Sequence, residues 1–157
     1  YSGYRPLKSR AFDYLYQRIR TRFNGGIVAK DDTYRLVIRL RRENIPGVFG
    51  LVSDQSPSKK NLHYWTTFLN QDTAILIGPE RMAKQTGFAV VYGDVTKVKR
   101  GYYQTQYICL TDQPKEEPEN SLTERYARLM EATIQRDPAY WLWTHKRWKH
   151  KRTEHAN

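Results

Sequence analysis

The sequence predicts an α/β fold, a mixed β-sheet flanked by helices. Three observations predict it. Apolar residues recur at helical spacing near the start, at 12, 15, 16, 19 and 23. A short, unbroken apolar run, Val48-Phe49-Gly50-Leu51-Val52, sits between helical patterns, as buried parallel strands do. Two β-rich stretches then meet at Lys99-Arg100-Gly101, the signature of a hairpin.

Taken in order, Phe12, Leu15, Tyr16, Ile19 and Phe23 give one apolar face of a helix over residues 7–23, with Pro6 before it and Asn24-Gly25-Gly26 as its stop. Residues 27–30 are a short strand candidate. Asp31 and Asp32 offer caps for a helix over 33–43, which Pro46-Gly47 closes. Residues 48–52 form the predicted buried strand, ending at Ser53-Asp54-Gln55. A polar loop with Lys59 and Lys60 leads to an aromatic, β-branched strand over 62–69. Pro79 opens a helix that ends near Thr86-Gly87. The hairpin joins 88–98 to 102–110, and residues 112–120 read as a linker. Ser121 and Glu124 have capping-box spacing ahead of the stripe Leu122, Tyr126, Leu129, Met130, Thr133 and Ile134. After Asp137-Pro138 a further helical stretch would put Trp141 and Trp148 on one face, packed on the core or presented to an interface. The single cysteine, Cys109, excludes an internal disulfide and reads as a small buried apolar residue.

Composition narrows the function classes. The chain has 157 residues, a net charge of +11 and a mean hydropathy of -0.82. Such charge calls for a polyanionic partner: nucleic acid, phospholipid surface, phosphorylated glycolipid or acidic carrier protein. Residues 1–42 hold eleven Lys/Arg against three Asp/Glu. Arg18 and Arg22 lie four apart on the first helix; Arg35, Arg39 and Arg42 line one face of the second. Such faces suit solvent or anionic headgroups and phosphates equally. No apolar run is long enough to span a bilayer. The start at Tyr1, without an initiator Met, reads as mid-protein.

No Walker A, Rossmann, C-x-x-C, H-E-x-x-H or G-x-S-x-G pattern is present, and His145, His150 and His155 have no metal-ligand spacing. Asp54 is the best single candidate, because ligands of open α/β sheets bind beyond the carboxyl ends of strands. Gln55, Lys59 and Lys60 follow it as candidate substrate-binding groups. An aspartate there also serves as an ordinary turn or cap residue.

Several stretches occur together in one order: Tyr4-Arg5-Pro6-Leu7, Ser53-Asp54-Gln55, an aromatic loop over 65–73, a helix over 78–87 ending in Thr86-Gly87, and Pro138-Ala139-Tyr140-Trp141-Leu142-Trp143-Thr144-His145-Lys146-Arg147-Trp148-Lys149. In this the chain resembles the lipid A late acyltransferases. The resemblance implies a glycerolipid acyltransferase-like fold, incomplete here, with residues 1–149 forming the C-terminal part of one acyltransferase domain and 150–157 a flexible basic tail. It implies transfer of a fatty acyl chain from acyl carrier protein to a hydroxyl of a lipid A precursor, at the cytoplasmic face of the bacterial inner membrane. The base would be a His followed five positions later by a carboxylate. No His here has that partner, so the motif is expected upstream of Tyr1 and this chain alone should be inactive. By the same resemblance Arg5 and Asp54 match positions that help catalysis; His145 and Arg147 would fasten the closing segment. No metal or cofactor is expected, the acyl carrier protein being a donor substrate. The aromatic loop, Trp65-Thr66-Thr67-Phe68-Leu69-Asn70, lacks the family's usual Pro and Gly. Alternatives are another glycolipid or aminolipid acceptor, or a basic nucleic-acid-binding module; nucleic acid is not the expected partner, as no recognised motif for it occurs.

Overall fold

A computed structural model describes residues 1–152, so the end of the predicted tail, including His155, lies outside the described residues. The chain divides into two compact units, Tyr1–Val52 and Ser53 onward. The α/β class is observed, with the strands distributed over three separate two-stranded sheets.

The first unit is a parallel crossover followed by a helix. Strand β1 (Ser2–Tyr4) pairs in parallel with β2 (Ile27–Ala29), and α1 (Arg10–Thr21) connects them. Helix α1 is shorter than its apolar pattern: Leu7 N–H donates to Asp13 Oδ1 at 2.8 Å, holding the preceding turn outside the helix. Asn24, at φ 59°, ends the helical path. Helix α2 (Thr33–Arg42) buries Thr33, Val37 and Leu40, one stripe at i, i+4 and i+7. Its predicted Asp cap does not form; Asp32 is already helical and caps with no side-chain bond. Thr33 Oγ1 instead donates to the Ala29 carbonyl at 3.2 Å.

Residues 48–52 are not the buried strand their apolar run predicts. Only Gly50 bridges in parallel to Ser2, while Val48 is 85% and Val52 76% exposed. Tyr1 stacks on Phe49 with ring centroids 5.4 Å apart, and its ammonium donates to the Val48 carbonyl at 2.5 Å. Apolar content predicts burial only where neighbouring strands exist to cover both faces.

The second unit holds most of the buried apolar side chains. Strands β3 (Tyr64–Phe68) and β4 (Gln71–Ile75) form a hairpin turned by Leu69 and Asn70, both left-handed at φ 49° and 60°. Glu131 Oε1 accepts from the Leu69 N–H, which steadies that turn. Helix α3 (Gly78–Thr86) begins with Pro79 in its first turn and stops at Gly87, φ 73°, whose N–H reaches the Ala83 carbonyl at 2.7 Å. Strands β5 (Val90–Lys99) and β6 (Tyr102–Thr111) make the predicted hairpin, turned at Gly101. Cys109 on β6 is exposed, not buried: one face of this two-stranded sheet is bare.

Helix α4 (Ser121–Arg136) crosses the core with Ala127, Met130 and Ile134 against Phe68 and Ile75. Its capping box does not form, because Ser121 is already helical and Asn120 takes the cap position at φ 63°. The open donors are met from α3: Glu80, 5% exposed, accepts from Thr123 N–H at 2.8 Å and Thr123 Oγ1 at 2.6 Å. A carboxylate at a helix N-terminus gains from the helix dipole as well. Glu124 is engaged elsewhere, accepting from Tyr64 Oη at 2.7 Å and pairing with Arg128 at 3.0 Å.

The closing segment is not helical beyond a short 3-10 turn, Pro138–Tyr140. Trp141 and Trp148 nevertheless both pack against the core, brought there by turns instead of a shared helical face. No described helix is long and apolar enough to cross a membrane.

Candidate functional site

The loop that follows Ser53 has no regular structure of its own, so its position depends on what grips it. The closing segment grips it at two points. His145 Nε2 accepts the Ser56 N–H at 3.0 Å, and His150 Nε2 lies 3.0 Å from the Pro57 carbonyl. A carbonyl only accepts, so His150 carries its proton on Nε2, whereas His145 must leave Nε2 bare. His150, the first residue of the predicted tail, is thereby tied to this loop. Trp148 anchors the same segment by donating Nε1–H to Thr73 Oγ1 at 2.8 Å.

Asp54 and Arg147 lie on the two segments that this clasp joins. Arg147 is 3% exposed, and its Nε, Nη1 and Nη2 have no hydrogen-bond partner among the described residues. Oδ1 of Asp54 is likewise buried without a donor. The Arg147 guanidinium carbon lies 5.7 Å from the Phe68 ring centroid, which places a charged group against the apolar core. Burial pushes the Arg147 pKa down from its ordinary value; the charges of Tyr126 and Asp54 act the other way. Burial, foremost, and the Asp54 charge push the Tyr126 phenol upward, so it stays protonated. A cation, a carboxylate and a neutral phenol thus share one poorly hydrated site. Such a site can hold a carboxylate in a fixed direction and can offer donors to an oxygen-rich group.

The other predicted residues are more exposed. Gln55 is exposed beside Asp54, and Lys59 and Lys60 are exposed in the short 3-10 turn Lys59–Asn61. Arg5 lies in the first unit, exposed between β1 and α1, whereas Asp54 belongs to the second. Arg18 is exposed on α1 and Arg22 just past its end; Arg18 donates to Tyr14 Oη at 3.3 Å and Arg22 lies over the Phe23 ring. Arg35, Arg39 and Arg42 do converge: with Tyr34, Ile38 and Glu43 they line a shallow hollow of about 520 Å³ on α2.

Sequence reasoning gave Arg147 only a fastening role and did not single out Tyr126. Arg147 stands in a run of basic residues, and nothing in composition separates it from the exposed Lys146 and Lys149. Its neighbours, fixed by the His145, Trp148 and His150 bonds, turn it inward.

The profile of the family described as bacterial lipid A biosynthesis acyltransferase matches residues 2–150. The chain is 23% identical over 148 residues to the lipid A biosynthesis palmitoleoyltransferase of Escherichia coli (strain K12), covering 93% of this chain and 47% of that protein. The lipid A biosynthesis acyltransferase of Shigella flexneri matches to the same extent. The chain spans about half the length of these curated relatives. With the match running from β1 through the clasp on Asp54, the chain belongs to the bacterial lipid A biosynthesis acyltransferase family.

Proposed function

We propose that this chain is the C-terminal portion of a membrane-associated acyltransferase that moves a fatty acyl chain from acyl carrier protein to a hydroxyl of a lipid A precursor. The observation that carries this reading is the family match over residues 2–150, which encloses Arg5, Asp54 and the closing Trp-rich motif in one order. The glycerolipid acyltransferase-like fold comes with the same reading. Its general base is a His with a carboxylate five positions on, contributed from upstream of Tyr1, so residues 1–157 alone do not turn over. No metal or cofactor takes part; the acyl carrier protein brings the acyl group.

Within this reading Arg5 holds a phosphate of the acceptor or the oxyanion that develops at the attacked carbonyl, a task suited to an exposed, always-charged fork. Asp54 orients the acceptor, and Gln55, Lys59 and Lys60 contact the substrate. What supports membrane association is the build of the first unit. Helix α1 leaves Phe12, Leu15, Tyr16 and Ile19 exposed beside Arg18, and Arg22 and Phe23 follow exposed in the turn at its end, the make-up of a helix that lies in an anionic lipid interface. The α2 hollow adds Arg35, Arg39 and Arg42, suited to headgroup phosphates at the cytoplasmic face of the inner membrane.

The test is steady-state acyl transfer by the full-length protein with acyl carrier protein as donor. Arg5→Ala and Asp54→Ala should each lower kcat about 100-fold or more while circular dichroism stays that of the wild type. Wild-type rates in both variants would remove these roles, and a full-length protein without transfer to any lipid A precursor would remove the activity.

A further inference from the structure

We infer that Arg147 is the positioning residue of Asp54: its buried guanidinium holds the Asp54 carboxylate in one direction, so that the free side of the carboxylate faces the reacting groups. This deepens the proposed role of Asp54 and rests on it. A guanidinium stays charged in proteins, and at 3% exposure it has given up its water. Of the two groups whose charge reaches it, Tyr126 is a protonated phenol, which leaves Asp54 as its counter-ion. Each side has what the other lacks: Asp54 Oδ1 is a buried acceptor without a donor, and Arg147 carries three buried nitrogens without an acceptor.

The surroundings restrict how far either can move. The Phe68 ring lies against the guanidinium, and Trp148 next to it is bonded to Thr73. On the other side, the bonds from His145 to Ser56 and from His150 to Pro57 hold the loop just past Asp54. Arg147 and Asp54 therefore sit on two segments stitched together on either side of Arg147 and just past Asp54. A cation needed only to fasten the segment would sit where water or a carbonyl could share it, as Lys84 does on the Glu117 and Pro118 carbonyls at 2.8 and 2.9 Å.

Two cycles on the full-length protein test this, with Arg147→Met, Arg147→Lys, Asp54→Asn and the double variants. In kinetics, Arg147→Met should lower kcat about 100-fold with KM moving less than about threefold, Arg147→Lys should recover about tenfold of that loss, and adding Asp54→Asn to Arg147→Met should cost less than about threefold more. In urea unfolding, the two single losses in folding constant should exceed that of the double variant by at least about tenfold when multiplied. Effects that simply multiply in both cycles, or a wild-type kcat in Arg147→Met, overturn the assignment. Where Arg147→Met does not fold, the same cycle is closed with Arg147→Lys, and plain multiplication there overturns it equally. A wild-type kcat in Asp54→Asn instead removes the catalytic role proposed for Asp54; Arg147 then has no carboxylate to position for chemistry, and the unfolding cycle decides whether the pair exists.

Discussion

Helix α1 of the first unit buries none of its twelve residues, whereas α4 of the second buries Leu122, Thr123, Ala127, Met130 and Ile134. Both helices carry an apolar stripe at helical spacing. The difference lies in what each unit supplies to cover it. In the second, β3 and β4 bring Phe68 and Ile75 against α4, and buried polar groups are tied by side chains from distant segments, Glu80 to Thr123 and Trp148 to Thr73. In the first, β1 and β2 are three residues each and the buried apolar side chains are Val37 and Leu40, while Phe12 is 60% and Phe23 87% exposed. An amphipathic pattern thus states that a helix has a face to bury, not that its own unit buries it.

The sharpest way to break this contrast is to empty each core in turn. Phe68→Ala, at a fully buried position, should cost about 3–5 kcal/mol and strip amide-exchange protection from β3 and α4. Leu40→Ala should cost less, about 2 kcal/mol, with its loss of protection confined to α2. Equal costs, or protection lost throughout the chain from Leu40→Ala, would mean that the first unit is no less internally packed than the second.

A smaller effect tests the polar ties of the second unit. Glu80→Ala removes the acceptor for Thr123 N–H and Oγ1 and leaves Lys84, 3.3 Å away, without its carboxylate. The expected cost is about 2–3 kcal/mol in urea unfolding, with the first turn of α4 exchanging fastest. Should Glu80→Ala cost nothing, α4 is capped by its own sequence after all, as the Ser121 and Glu124 spacing suggested.

That case shows where the sequence could be read and where it could not. Local chemistry was legible: Pro79 and Gly87 bracket α3, Gly101 turns the second hairpin, and the stripe of α4 lies over the core. What escaped reading depends on partners far along the chain. Glu80 caps a helix 43 residues away, and a capping box with good spacing loses to it. Residues 48–52 have the content of a buried strand but a single bridged partner, so they stay exposed. The hairpin at Leu69 and Asn70 hides because leucine seldom adopts φ above zero, and only the grip of Glu131 on its N–H marks the turn. At the candidate site, the order of motifs pointed to Asp54. The inward turn of Arg147 was not, because it is set by three long-range bonds made by the neighbouring His145, Trp148 and His150.

The mildest expected effect asks which unit acid loosens first. Asp94 accepts from Arg136 Nη1 at 2.6 Å and from Thr133 Oγ1 at 3.0 Å, and these bonds, Arg136 foremost, hold its carboxyl below the ordinary value of 3.8. A carboxyl lowered in the folded state contributes stability that is complete above its unfolded pKa and disappears as pH falls through the folded one. Glu117 is lowered in the same direction by Arg125, and both groups belong to the second unit. The second unit should therefore lose stability as pH falls below the ordinary carboxylate values of 3.8 and 4.5, with α4 amides losing protection as it does. Arg136 is 42% exposed, so solvent screens the pair and Asp94→Asn should cost no more than about 1 kcal/mol at neutral pH. The variant should also flatten the acid limb. A limb that keeps its full slope in Asp94→Asn would move the acid sensitivity to other carboxylates and leave the polar ties of the second unit resting on Glu80.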